Sequence, residues 1–89
     1  MPERTVTIGS RVGLHARPAS LFVQAAAQLP VPVQVGKPGE DPVDARSILS
    51  VLSLDARGGE EIILLADGDG ADAALDELAA LVARDLDAE

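Results

Sequence analysis

His15 is the single histidine of the chain, and it stands in the segment Gly13-Leu-His-Ala-Arg-Pro-Ala19, directly before a predicted helix. The first backbone N–H groups of a helix have no partner within the helix, and the helix dipole places partial positive charge at the same end. A phosphate carried on the imidazole would therefore meet ready hydrogen-bond donors. These residue types favour phosphoryl chemistry at His15.

Arg17 follows the histidine by two residues and adds a cation whose guanidinium can hold phosphate oxygens through paired hydrogen bonds. The backbone amides of Ala16 and Arg17 are expected to bind the same phosphate. Positive charge from the helix end and from Arg17 disfavours the imidazolium, so the sequence predicts a neutral, nucleophilic ring nitrogen. On these residues alone, a helix-cap histidine beside a solvated arginine is the alternative explanation.

Composition argues against several other classes of site. With one histidine and no cysteine, the chain has no credible set of metal ligands, and neither a metal nor a cofactor is expected. Seven basic residues stand against fifteen acidic ones, and Phe22 is the only aromatic residue. Nucleic-acid binding needs clustered cations or aromatic stacking platforms, so nucleic acid is not an expected partner.

The positive charge lies in the first 37 residues, which carry four basic side chains and one acidic side chain. Anion chemistry is therefore expected near the N-terminal end, where His15 lies. No apolar run has the length of a membrane span, and the N-terminus lacks the apolar stretch of a signal peptide. The sequence thus predicts a soluble cytoplasmic protein with no direct membrane insertion.

Hydrophobic periodicity predicts seven elements within a single domain over residues 1–89. They are a strand over 4–8 with Val6 and Ile8 inward, a helix over 16–28 ended by Pro30 and Pro32, a strand at Val33 and Val35, a turn over 36–42 leading to a short strand at Val43, a helix over 47–54, a strand over 60–66, and a final helix with the stripe Leu75, Leu78, Ala79, Val82 and Leu86.

The second and third strands form a predicted hairpin, and the strands lack the uniform crossovers of a doubly wound parallel sheet. The order therefore predicts an α+β fold, a two-layer open-faced sandwich with a four-stranded antiparallel sheet and three helices on one face. In the second helix, Ser47 is suited to cap the start, and Ile48, Val51 and Leu52 are expected on one face.

The segment Gly13-Leu-His-Ala-Arg-Pro-Ala19 resembles the active-site signature of the HPr family, the phosphocarriers of the phosphoenolpyruvate-dependent sugar phosphotransferase system. The segment Arg46-Ser-Ile-Leu-Ser-Val-Leu-Ser-Leu54 resembles the family's regulatory-serine region, and Gly68 with the last helix fits its C-terminal pattern. The resemblance spans nearly the whole chain and implies an HPr-like fold.

The resemblance implies that His15 accepts a phosphoryl group on Nδ1 from phospho-enzyme I and passes it to enzyme IIA of sugar permeases. The protein would then be a stoichiometric carrier rather than an enzyme, and a monomer is expected. Ile48, Leu49 and Leu52 match the family's apolar docking patch. The alternative is that these side chains belong to the hydrophobic core, with Ile48 or Leu52 packed inward.

Ser47 matches the serine that a dedicated kinase phosphorylates in many members of the family, although a plain N-cap explains a serine there equally well. Two other functions stay open: a regulatory interaction module acting through Ser47, and a paralogous carrier in a nitrogen- or metabolism-sensing relay. The sequence departs from the family pattern at Leu49, where Met is frequent, and at Asp55, where the residue is usually small. Arg57 is expected either to extend the cationic rim or to lie solvated in its loop.

Overall fold

The computed structural model describes residues 2–11 and 13–84 of the 89-residue chain. It contains four strands and three helices in the predicted order. They are β1 (Glu3–Thr7), α1 (Ala16–Gln28), β2 (Val33–Gly36), β3 (Val43–Asp44), α2 (Ile48–Ser53), β4 (Glu61–Ala66) and α3 (Ala71–Ala83).

The four strands form one antiparallel sheet in the order β1-β4-β2-β3. Val6 of β1 lies opposite Ile62, and Val35 of β2 lies opposite Leu64, so β4 is central. The short strand β3 lies at the edge beside β2, as its neighbouring prolines predict. Helix α3 packs on β1 and β4, and α1 packs on both other helices. The predicted α+β two-layer sandwich is confirmed.

The core between sheet and helices is aliphatic apart from the phenyl ring of Phe22, which is 1% exposed. Alternate residues of β4 are buried, as expected for a strand with one face on the core. The buried side chains that share this core include Ala19, Phe22, Ala26, Val33, Val35, Val51, Ile62, Leu64, Leu75, Leu78 and Val82. Of the predicted stripe on the last helix, Leu86 lies outside the described residues.

The prediction that Ile48, Val51 and Leu52 share one face of the second helix is wrong. Val51 is fully buried, but Ile48 and Leu52 are exposed, so the three side chains do not share an inward face. Helix α2 has only six residues, and Val51 together with Leu54 at its C-terminal end supplies its buried contacts. The alternative in which Ile48 or Leu52 packs inward is therefore also wrong. No helix within the described residues is long and apolar enough to cross a membrane.

Candidate functional site

His15 is the N-cap residue of α1, which confirms its predicted position at a helix start. Its backbone is extended, with φ −132° and ψ 161°, and its side chain makes no capping hydrogen bond. The imidazole is 37% exposed, so a partner protein can reach it. The carbonyl of His15 accepts from the amide of Ala19 at 3.4 Å, which closes the first turn of α1.

Pro18 lies in the first turn of α1, where its missing N–H costs no internal hydrogen bond. Its ring is buried, as is the phenyl ring of Phe22 one turn later. These two contacts anchor the first turns of the helix on the core. Arg17, between His15 and Pro18, is exposed at the second helical position. The helix therefore presents the histidine and the arginine at the surface while its opposite side is held in place.

A close approach between two loops fixes the segment that leads into His15. The amide of Leu14 donates to the carbonyl of Ala56 at 2.8 Å. Gly13, with φ +73°, lies so near this loop that a Cβ would stand 2.1 Å from the carbonyl oxygen of Ala56. Gly58 is also crowded, since its Cβ would meet the carbonyl oxygen of Ser10 at 2.5 Å. The two glycines thus allow residues 10, 11, 13 and 14 to lie against residues 56–58.

This approach brings Asp55 to the histidine. Asp55 Oδ1 lies 3.3 Å from His15 Nε2, and Oδ2 lies 3.4 Å from Arg57 Nη2. Lys37 Nζ donates to the backbone carbonyl of Asp55 at 3.1 Å and lies 3.7 Å from Glu60 Oε1. Asp55 has a left-handed backbone, with φ +51°, a conformation that aspartate adopts more readily than most residues.

The charge of Arg57 is the main cause that lowers the pKa of Asp55, and the hydrogen bond from the same guanidinium adds to it. His15 and Lys37 lower the pKa of Asp55 further, while partial desolvation opposes them. The carboxylate is therefore charged at neutral pH. The sequence predicted positive charge around His15 from the helix end and Arg17, and the structure adds the carboxylate of Asp55 to these charges. Arg57 lies in the same cluster, where it pairs with Asp55.

Helix α2 lies beside α1 and presents three large apolar side chains to solvent. Leu49 is 78% exposed, Ile48 39% and Leu52 36%. Ser47 caps this helix, since its Oγ accepts from the amide of Ser50 at 3.3 Å, which confirms the predicted capping role. The residues predicted for docking thus form an exposed patch, called here the α2 patch, on the helix next to the one that His15 begins.

A family model described as the PTS HPr component phosphorylation site matches residues 2–84. The chain belongs to the HPr family. It is 55% identical to the phosphocarrier protein HPr of Streptomyces coelicolor over 87 residues, which are 98% of this chain and 94% of that protein. It is 41% identical over 80 residues to the phosphocarrier protein NPr of Shewanella violacea, covering 90% of this chain and 87% of the relative.

The fold of the chain is also similar to that of HPr-C-His from Thermoanaerobacter tengcongensis, known from a crystal structure. The TM-score is 0.85 at 39% sequence identity, and the match covers 92% of this chain and 91% of the other. Members of the HPr family are phosphocarriers that work with components of the phosphotransferase system. The family assignment therefore agrees with the fold and with the phosphocarrier function expected from the sequence.

Neither the contact of Asp55 with His15 nor the hydrogen bond from Lys37 to the carbonyl of Asp55 was predicted from the sequence. Asp55 is recognisable in the sequence as a charged residue where the family usually has a small one. Because it is far from His15 in the sequence, their contact could not be predicted. A cavity of about 290 Å³ lies elsewhere, bordered by residues of β2, β3 and β4 such as Gln34, Asp44 and Leu65. None of the residues lining that cavity belongs to the His15 cluster.

Proposed function

We propose that this chain is a phosphocarrier that accepts a phosphoryl group on Nδ1 of His15 from phospho-enzyme I and passes it to enzyme IIA of sugar permeases. The observation that carries the proposal is the position of His15: it is the N-cap residue of α1, and its partly exposed imidazole makes no capping hydrogen bond. The ring is therefore available for attack on phosphorus. The match of the family model to residues 2–84 supports one HPr-like domain over residues 1–89.

The phosphoryl group brings nearly two negative charges to this helix end. The amides of Ala16 and Arg17 and the exposed guanidinium of Arg17 are the donors that offset this charge without a metal. Because the site is open to solvent, each of these interactions is weaker than it would be in a buried pocket. Moderate stabilisation suits a carrier, since the phosphoryl group must leave again for the next protein.

The α2 patch supports docking of both partners on the same face. Leu49 is the most exposed of its three apolar side chains, and α2 packs directly against α1. Protein interfaces commonly have an apolar centre surrounded by a polar rim, and the α2 patch beside the charged end of α1 has this arrangement. We propose that enzyme I and enzyme IIA use this patch in turn, so that each brings its own phosphorylated or accepting group to His15.

The direct test incubates the protein with phosphoenolpyruvate and enzyme I and measures incorporated phosphate. One acid-labile phosphate per chain is expected, absent in His15→Ala and formed more slowly in Arg17→Ala. Arg4→Ala is the matched control, because Arg4 pairs with Asp72 and Asp76 of α3. Full labelling of His15→Ala contradicts the site assignment, and equal rates for the two arginine variants contradict the role of Arg17.

A second experiment tests the patch. Leu49→Ser is expected to raise the KM for enzyme I and enzyme IIA, because Leu49 contributes exposed apolar area to the proposed interface. The melting temperature should hardly change, since the side chain is 78% exposed in the free protein. Ala80→Ser, on the exposed side of α3, is the control. An unchanged KM for both partners in Leu49→Ser contradicts the docking proposal.

Two other functions make different predictions in the same assays. A regulatory module acting through Ser47 predicts an acid-stable phosphoserine in protein isolated from cells, with little transfer from enzyme I. A carrier in a nitrogen- or metabolism-sensing relay predicts normal labelling of His15 but no transfer to enzyme IIA of a sugar permease. The higher identity to the HPr of S. coelicolor than to the NPr of S. violacea favours the sugar system.

A further inference from the structure

We propose that Asp55 is a positioning residue for His15: its carboxylate keeps the ring proton on Nε2, so that Nδ1 presents its lone pair to phosphorus. The inference rests on the proposed function, and it adds a residue for which the HPr resemblance gives no role. It starts from the 3.3 Å distance between His15 Nε2 and Asp55 Oδ1.

A neutral imidazole carries one proton, and an ionised carboxylate can only accept hydrogen bonds. The carboxylate beside Nε2 therefore favours the tautomer with Nε2–H, and Nδ1 becomes the basic nitrogen. The 3.3 Å distance is slightly beyond the usual N–H···O range, and such contacts tighten when a reaction complex forms. His15 makes no side-chain capping hydrogen bond at the start of α1, so Nδ1 is not engaged in capping the helix.

The cluster around Asp55 holds this carboxylate in place. One oxygen faces His15, and the other lies 3.4 Å from the guanidinium of Arg57. The backbone is held on both sides, since the amide of Asp55 donates to Leu52 at 3.2 Å and its carbonyl accepts from Lys37 at 3.1 Å. The carboxylate is thus oriented by contacts that do not depend on the histidine.

The same carboxylate acts during the transfer. When the Nδ1–P bond forms and the bond from phosphorus to the donor breaks, the ring keeps its Nε2 proton and gains positive charge. A carboxylate at Nε2 offsets that charge, as the aspartate of a catalytic triad does for its histidine. In the onward step a nucleophile of the accepting protein bonds to phosphorus while the Nδ1–P bond breaks, its electron pair returns to Nδ1, and the ring leaves as neutral imidazole. No proton is exchanged with solvent in either step.

A purely structural role for Asp55 is the competing explanation, because its φ of +51° and its pairing with Arg57 also shape the loop. Two substitutions separate the roles. Asp55→Gly removes the carboxylate at a backbone conformation that glycine prefers, and Asp55→Asn keeps an acceptor oxygen without the charge. Both variants are therefore expected to fold, which circular dichroism and thermal melting check.

The decisive measurement is the tautomer of His15 in the unphosphorylated, ¹⁵N-labelled protein, read from long-range ¹H–¹⁵N correlations at a pH where the ring is neutral. We expect Nε2–H to dominate in the natural sequence and the fraction of Nδ1–H to rise in Asp55→Gly, with Asp55→Asn between the two. Asp41→Asn, at an exposed position outside the helices and strands, makes the same change in net charge and should leave the tautomer unchanged.

Transfer from phospho-enzyme I should slow by about two- to fivefold in Asp55→Gly, the range that an exposed ion pair supports. Partial rescue by Asp55→Asn is expected because the amide oxygen still accepts from Nε2–H. Unchanged tautomer fractions in both variants overturn the role of Asp55. If the natural sequence takes up no phosphate, the proposed function fails instead, and the tautomer measurement still reports on the contact separately.

Discussion

Replacing Gly13 with alanine tests whether the approach of two loops holds the proposed phosphorylation site, His15, in place. Gly13 has φ +73°, and a left-handed alanine costs about 1–2 kcal/mol. A Cβ there would also lie 2.1 Å from the carbonyl oxygen of Ala56 and 2.6 Å from Cα of Arg57. Backbone atoms cannot rotate away as a side chain can, so overpacking adds about 1–3 kcal/mol.

Gly39→Ala is the matched control, because Gly39 has φ +83° with no heavy atom within 4 Å of the added Cβ. The two variants share the backbone cost and the loss of unfolded-state entropy, which offsets about 0.4–1 kcal/mol in each. Their difference in the free energy of unfolding, expected at about 1–3 kcal/mol, therefore measures the contact between the loops.

Urea denaturation and thermal melting give this difference directly. In a domain of this size, 1 kcal/mol lowers the melting temperature by about 4–8 °C, so Gly13→Ala should melt at least about 4 °C below Gly39→Ala. The same variant should accept phosphate more slowly at a temperature where it remains folded, because the segment that leads into His15 must move away from Ala56. Equal melting temperatures for the two variants would refute the reasoning.

Phe22→Ala should lower the free energy of unfolding in urea by about 3–5 kcal/mol, because the only aromatic side chain is 1% exposed; a loss below about 1 kcal/mol contradicts its place in the core. Ser47→Ala should cost about 1 kcal/mol by the same measurement, since it removes the acceptor for the amide of Ser50, and an unchanged value argues against the cap. The hydrogen bond from the backbone amide of Arg46 is the main cause that lowers the pKa of Asp44. This carboxylate therefore stabilises the fold above its unfolded-state pKa, and the stabilisation is lost as the pH falls through the lower folded-state pKa. Asp44→Asn should therefore show a shallower loss of melting temperature from about pH 4 downward, and identical acid profiles would exclude this contribution.

The elements of the fold were predictable wherever local signals were strong. Pro18 near the start and Pro30 after the end bracket α1, and the prediction over 16–28 agrees with the observed Ala16–Gln28. The orientation of α2 was not predictable by the same means. Six residues make less than two turns, so spacing alone does not decide which apolar side chains face inward. In the structure Val51 is the buried residue of α2.

Some residues of the candidate site were predictable from the sequence in the same way, and others were not. Residues 13–19 are consecutive, and the physics of a helix start applies to them directly, so His15 and Arg17 could be named from the sequence. Asp55 depends on a different fact: two loops separated by some 40 residues in the sequence touch because glycines stand where a Cβ would collide with backbone. Steric exclusion of this kind leaves no periodic pattern in a single sequence.

The contact between Asp55 and His15 also changes how the charge of the site should be understood. In the proposed transfer, a helix end and an arginine alone would stabilise the phosphate but oppose the positive charge that the ring would acquire as Nδ1 bonds to phosphorus. The carboxylate of Asp55, 3.3 Å from Nε2, would supply the opposite charge at the ring atom that keeps its proton in the proposed transfer. Asp55 is also paired with Arg57 and lies near Lys37, which limits its repulsion of an arriving phosphoryl group. Cations toward the phosphate and an anion toward the far side of the ring together suit the proposed role, in which His15 both accepts and releases a phosphoryl group.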